Sequence, residues 1–251
     1  MRPPHGRVLG VRVDATSFAD AVSRIGGWAN GFESRYVVVA NVHVAMMAHD
    51  DPAYREIVNN ADLVTPDGMP LVWALRVLGF KQQERVHGAR LVLDLCNWAA
   101  ANEAPVFFYG STPETLAALR RNLLARFPNL RIAGMYSPPF RPLSPAEDEA
   151  DVKRINASGA HIVFVGLGAP KQERWMAAHR GRVNAVMLGV GAAFDILAGR
   201  IKQAPAWMQR SGLEWLYRLL KEPRRLWWRY LYYNPRYLAL LSLQLLGLKK
   251  F

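Results

Sequence analysis

The chain has 251 residues, 51% hydrophobic and 21% charged, with one cysteine, six histidines and a net charge of +12. These totals describe an ordinary globular protein with ample core, and a lone Cys96 excludes an internal disulfide and suits a reducing compartment. The histidines (5, 43, 49, 87, 161 and 179) show no HxH, HExxH or Cys/His ligand spacing, which argues against a zinc site.

In chain order, "RVLGVRVD" (7–14) predicts a strand and no secretory leader, and "SFADAVSRIGGWA" (17–29) predicts a helix capped by Ser17. "RYVVVANV" (35–42) is a continuous β-branched run, hence a buried strand, with Asn41 near its end. Helices follow from about Val44 and through 54–60. Thr65, Pro66, Asp67 and Gly68 read as a turn, after which an apolar helix carries no charge until Arg76. "ARLVLDLCNWAAAN" (89–102) is helical and "APVFFYG" (104–110) a strand. "STPETLAALRRNLLARFP" (111–128) has Thr112 as a cap, Pro113 in the first turn and Pro128 as a stop. "LRIAGMYSP" (130–138) is a strand and loop, and "SPAEDEADVKRINAS" (144–158) opens with a capping box from Ser144 to Glu147. "AHIVFVGLG" (160–168) and "VNAVMLGVG" (183–191) are buried strands ending in glycines, each followed by a helix.

Strands alternating with helices predict an α/β, Rossmann-like domain with a largely parallel sheet and flanking helices. In such sheets ligands sit at the carboxyl ends of the strands. The composition changes near residue 199. From there on, 11 Lys and Arg face two Glu, interleaved with Trp207, Trp215, Trp227, Trp228 and several tyrosines. The expected organisation is therefore an α/β domain over 1–198 and a basic, aromatic helical appendage over 199–251. The longest apolar stretch, 237–248, contains Gln244 and falls well short of the roughly 20 residues that span a bilayer, so a soluble or peripheral protein is expected.

Several residues carry two readings. Asp67 is either the N-cap of the following helix or a carboxylate that takes a proton in a cleft, and the pattern by itself favours the cap. Asn41 either orients a substrate hydroxyl or satisfies its own turn. Arg85, His87 and Arg90 in "ERVHGAR" form a loop cluster that holds a phosphate or a solvated surface. "FVGLGAPKQERW" (164–175) sets a Gly-x-Gly turn before a helix start with Lys171 and Gln172 as donors. "GVGAAF" (189–194) lacks the third glycine of the dinucleotide fingerprint, which weakens a nicotinamide reading. Arg218, Arg225 and Arg229 share one helical face unless Pro223 breaks the helix. Arginine interleaved with Trp and Tyr suits a membrane–water interface better than nucleic acid.

The strings "RYVVVANVHVAM", "NNADLVTPDGMPLV", "RVHGARL", "VFFYGSTPE", "FVGLGAPKQERW" and "GVGAAFDILAGRIKQAPAWMQRSGLEWLYRLLKEPRR" together resemble the WecG/TagA/CpsF glycosyltransferase family, in order from about Arg7 to Tyr237. Within it the chain looks closest to exopolysaccharide, xanthan-type members that add glucose to a lipid-linked sugar. The resemblance implies an inverting enzyme without metal or other cofactor. It moves a hexose, glucose or an N-acetylmannosamine-type sugar, from a UDP-sugar to a polyprenyl-diphosphate-linked acceptor. The location implied is cytoplasmic, on the anionic inner face of the membrane, with self-association left open. By position, Asp67 matches the proposed base, Asn41 and Arg85 match pocket residues and Gln172 a donor-contacting residue; Gly110 and Gly168, at strand-end turns, join them as substrate-binding candidates. Arg218 and Arg225 fall where appendage arginines are proposed to meet a diphosphate, and Arg229, next to the third such position, is grouped with them. Val39 stands where the family often has Thr, Gly88-Ala89-Arg90 where it often has Gly-Ser-Asp, and Trp228 where a third appendage arginine is common; these departures bear on sugar identity. Physical logic agrees: no two aspartates lie two residues apart to hold a metal, so cations for a departing diphosphate must come from side chains. The rival readings are a nucleotide-dependent oxidoreductase and a non-catalytic membrane or nucleic-acid binding module.

Overall fold

A computed structural model describes residues 2–251. Its centre is a six-stranded, wholly parallel sheet built from β3 (Arg35–Ala40), β4 (Leu63–Pro66), β5 (Val106–Gly110), β6 (Ile132–Tyr136), β7 (Ile162–Gly166) and β8 (Val186–Gly189), in the spatial order β4-β3-β8-β7-β5-β6. Both faces are covered, which is why the strands read as unbroken apolar runs rather than alternating ones. Tyr36, Val38 and Ala40 of β3 enter one core, and Val37 and Val39 enter the other.

The first core lies under α2 (Val42–Asp50), α3 (Pro52–Asn60), α4 (Met69–Val77), α7 (Pro145–Ala157) and α8 (Lys171–His179). The second lies under α1 (Phe18–Asn30), α5 (Gly88–Ala101), α6 (Pro113–Arg126) and α9 (Ala193–Leu197). The helices leaving β3 and β7 go to one face and those leaving β8 and β5 to the other. That divergence opens the carboxyl crest of the sheet, where a doubly wound fold receives its ligands. The α/β expectation holds, as do the Ser17 and Thr112 caps and the reciprocal Ser144–Glu147 capping box.

Three local expectations are corrected. Residues 7–14 are not one strand but an antiparallel hairpin, β1 (His5–Val8) and β2 (Val11–Asp14), outside the main sheet. Leu9 and Gly10 turn it with φ of 52° and 82°, and Leu9 is fully buried, so its packing offsets the left-handed backbone. Apolar residues on both sides of that turn hide it from a periodicity argument. Thr65 and Pro66 belong to β4 rather than to a turn; β4 is an edge strand, where proline's missing N–H is tolerated. The tail arginines do not lie on one continuous helix. Pro223 ends α11 (Glu214–Lys221) and starts α12 (Pro223–Leu245), whereas Pro235 is accommodated within α12.

With the short α10 (Ala206–Arg210), these helices cross the crest at the β3/β4 end. α12 packs on α2, burying Tyr237 and Leu241 in the first core. The Tyr237 hydroxyl donates to the Pro70 carbonyl (3.1 Å), and Arg236 grips Asp50 with two bonds of 2.8 and 2.9 Å. Gln244 donates to the Arg7 carbonyl and accepts from the Leu9 amide (2.7 and 2.8 Å). Among the described residues no helix is long and apolar enough to cross a membrane.

Candidate active site

The register of β3 and β4 pairs Ala40 with Pro66, and the Asp67 amide donates to the Ala40 carbonyl (2.7 Å). Asn41 and Asp67 therefore emerge side by side at the strand ends. Asp67 is not a helix cap: Gly68 occupies the N-cap position of α4, with no side-chain bond. The carboxylate is instead held at the mouth of a cavity of about 340 Å³ between the sheet crest and α10–α12. The Asn41 Oδ1 accepts from the His43 and Val44 amides and caps α2, so its turn role is real, while its side chain also lines the cavity.

Arg85 reaches Asp67 because the Val86 amide bonds the Pro66 carbonyl (2.9 Å) and lays that segment along β4. Its Nη2 lies 2.9 Å from Asp67 Oδ1, its Nε donates to the Asp67 carbonyl, and its Nη1 lies 2.7 Å from Glu214 Oε2 on α11. Burial pulls the Arg85 pKa down, but the two carboxylates outweigh it and leave it raised. The rest of the loop cluster disperses. His87 caps α5 and is held below the ordinary histidine range by burial, against the pull of Asp67. Arg90 belongs to α5, pairs with Asp94 (3.3 Å) and covers the Phe18 ring.

From above, Arg218 and Arg229 line the same cavity, and the Nε of each is buried without a hydrogen-bond partner. Burial, reinforced by the neighbouring Arg218 and Arg225 cations, lowers the Arg229 pKa. Guanidinium groups beside a cavity with an unpaired Nε suit an anion, because an unpaired buried donor is costly until a partner arrives. Arg225 is turned outward, paired with Glu222 at 2.5 Å.

Two residues escaped the sequence reading. Glu214 reads in the sequence as one acid in a basic helix. His43 follows Asn41 by two residues, lines the cavity and packs its ring 5.2 Å from Tyr233. Burial, then the Arg229 cation, pulls its pKa down to about 3, so it is a neutral imidazole.

The glycine-rich positions lie further along the crest. Gly110, with φ of 114°, touches Gly166: a Cβ there would sit 2.7 Å from the Gly166 backbone. Gly168, with φ of 76°, has open space around it. Gln172 is buried, accepting from the Gly168 amide (3.1 Å) and donating to Glu173 (2.8 Å), so it holds the turn rather than reaching outward. Nearby, a second cavity of about 510 Å³ is lined by Tyr109, Phe140, Arg141, Lys171 and Trp175, and the Trp175 indole stacks on the Tyr109 ring at 4.6 Å. Among the described residues no cluster of three His, Cys, Asp or Glu is placed to hold a metal ion.

The model of the glycosyl transferase WecG/TagA/CpsF family matches residues 6–251. The chain belongs to this family. It is therefore a glycosyltransferase, and the oxidoreductase and non-catalytic readings fall away. Similar proteins include the N-acetylglucosaminyldiphosphoundecaprenol N-acetyl-beta-D-mannosaminyltransferase of Bacillus spizizenii, 34% identical over 206 residues that cover 81% of this chain and 77% of that one. The enzyme of the same description from Staphylococcus aureus strain MW2 is 32% identical over 222 residues, 87% of this chain and 85% of that one.

Proposed function

We propose that this glycosyltransferase moves a hexose from a UDP-sugar to a polyprenyl-diphosphate-linked sugar, by a single inverting displacement and without a metal ion. The observation that carries the reading is one cavity that combines the Asp67 carboxylate with the Arg218 and Arg229 guanidinium groups, the Nε of each unpartnered. Asp67 takes the proton of the acceptor hydroxyl as its oxygen attacks the anomeric carbon from the face opposite the nucleotide. The bond from that carbon to the phosphate oxygen breaks, and UDP leaves with the electron pair. The arginines stabilise the charge that develops on the departing diphosphate, the role a metal plays elsewhere.

The nucleotide is assigned to the crest near Gly110 and Gly168, with the aromatic second cavity beside it, and the acceptor to the cavity under the C-terminal helices. The two described relatives act on N-acetylglucosaminyldiphosphoundecaprenol, which supports that acceptor here. Residues 199–251 are read as an appendage over a catalytic domain of 1–198. On α12, exposed Trp227, Leu231, Leu238 and Leu245 recur at spacings of four and seven, hence on one face, and Arg224 lies one turn before them. Such an apolar stripe beside cations suits the surface of an anionic bilayer and supports a peripheral enzyme at the inner face.

The test is incubation of the full chain with an N-acetylglucosaminyl lipid diphosphate and a panel of UDP-sugars that includes UDP-glucose and UDP-N-acetylmannosamine, with product mass as readout. Asp67→Asn is expected to cut turnover by about 10²–10⁴-fold while the protein stays folded. Near-normal turnover in that variant removes the base assignment.

A further inference from the structure

Glu214 is the second carboxylate of the cavity, and it comes from a different part of the chain than Asp67. The Arg85 guanidinium carries both, one on each terminal nitrogen. The ordinary account of Glu214 is an acid in the first turn of α11, where the helix N-terminus favours negative charge. That account leaves its side chain free to point anywhere toward solvent. It reaches instead across the cavity to the one cation that also binds the base.

We propose that Glu214 is a positioning residue for the transfer reaction: by taking one end of Arg85, it keeps that guanidinium from closing fully on Asp67 and leaves the Asp67 carboxylate able to accept the acceptor's proton. Because Glu214 rides on α11, this division of Arg85 exists only while the C-terminal helices are docked. The base is thus competent when the cavity is covered, and is quenched by a full ion pair when it is open. The inference rests on Asp67 being the base.

The charged and titratable groups around Asp67 are few. Arg85 and His87 come from the segment before α5, Glu214 and Arg218 from α11, Arg229 and the phenols of Tyr230, Tyr233 and Tyr237 from α12, and His43 from α2. His43 is neutral, and the three arginines are the cations of the cavity. Glu214 is then the group that opposes the cations bearing on Asp67. Removing the Glu214 charge leaves those cations unopposed, with Arg85 free to turn wholly to Asp67.

The experiment measures kcat and KM from about pH 5 to pH 9 for the full chain, Glu214→Gln, Glu214→Asp and Asp67→Asn, with melting temperatures in parallel. Glu214→Gln is expected to melt with the native protein and keep KM for the UDP-sugar. Its kcat should fall about tenfold and its acid limb should move about one unit lower. Glu214→Asp should recover most of the rate. A Glu214→Gln enzyme with native kcat and an unmoved acid limb overturns the proposal, as does a loss confined to KM or to the melting temperature. An inactive Asp67→Asn beside a fully native Glu214→Gln sinks only the role of Glu214. An active Asp67→Asn sinks the base assignment beneath it.

Discussion

Arg229→Met separates what the C-terminal helices do for catalysis from what they cost in stability. The side chain sits over the cavity with its Nε buried and unpaired, its pKa lowered by burial and by two neighbouring arginines. An unsatisfied buried donor costs about 1–3 kcal/mol. The stabilising contact that methionine forfeits is the cation–π approach to Tyr230 at 5.7 Å, worth about 0.5–1 kcal/mol. Methionine keeps most of the stem's packing, so the variant should gain about 1–2 kcal/mol. For a chain of this size that raises the melting temperature by roughly 2–8 °C. Turnover should fall by about 10²–10³-fold, the usual consequence of deleting a group that stabilises a developing anion. Differential scanning fluorimetry and product formation from the lipid-linked sugar read the two effects on the same preparation. A variant that melts lower and still turns over normally would refute the reasoning, because Arg229 would then be a structural residue with no anion to meet.

Arg225→Ala should lose no more than about twofold in turnover, because its side chain is exposed and paired with Glu222, whereas Arg218→Ala should resemble the loss at Arg229; parallel kinetics compare them. Gly110→Ala should cost several kcal/mol, since alanine meets both a φ of 114° and the Gly166 backbone at 2.7 Å, and a fall in the urea midpoint would show it. Glu173 is fully buried, and burial raises its pKa above 4.5 against the opposing hydrogen bond from Gln172. The folded chain therefore holds a proton that the unfolded chain has released, and stability falls as pH rises from about 4.5 through the folded value. Glu173→Gln should flatten that slope and be the more stable form at pH 8 in denaturant titrations. Excess EDTA should leave turnover intact; a strong loss restored by Mg²⁺ would contradict charge compensation by arginine alone.

How much was legible in the sequence depends on whether the information is local. β3 could be read from its unbroken β-branched run, and the caps at Ser17, Thr112 and Ser144 from short-range hydrogen-bonding chemistry. The hairpin at Leu9–Gly10 could not, because its turn lacks the usual Asn-Gly or Asp-Gly signal and its strands are apolar on both sides. Asp67 could be singled out as a lone carboxylate, but rejecting its cap role required knowing that Gly68 begins the helix and that Arg85 is laid along β4. Arg218 and Arg229 could be chosen from their spacing, yet their convergence arises from the break at Pro223 rather than from a shared helical face. Gln172 follows a Gly-x-Gly turn that is weak evidence in sequence, and the structure shows its amide engaged with Gly168 and Glu173. Glu214 left no local trace, because its meaning lies entirely in a partner more than a hundred residues away.

The amide of Gln244 does for the N-terminal hairpin what a third strand would do, matching one carbonyl and one N–H at its turn. A two-stranded ribbon is marginal in water without such support. Lifting α12 off the body would therefore free the hairpin turn around Leu9 as well, although it lies apart from the cavity. Deuterium uptake at the Leu9 amide would act as a remote gauge of lid opening, readable without substrate, lipid or any change to the residues that do the chemistry.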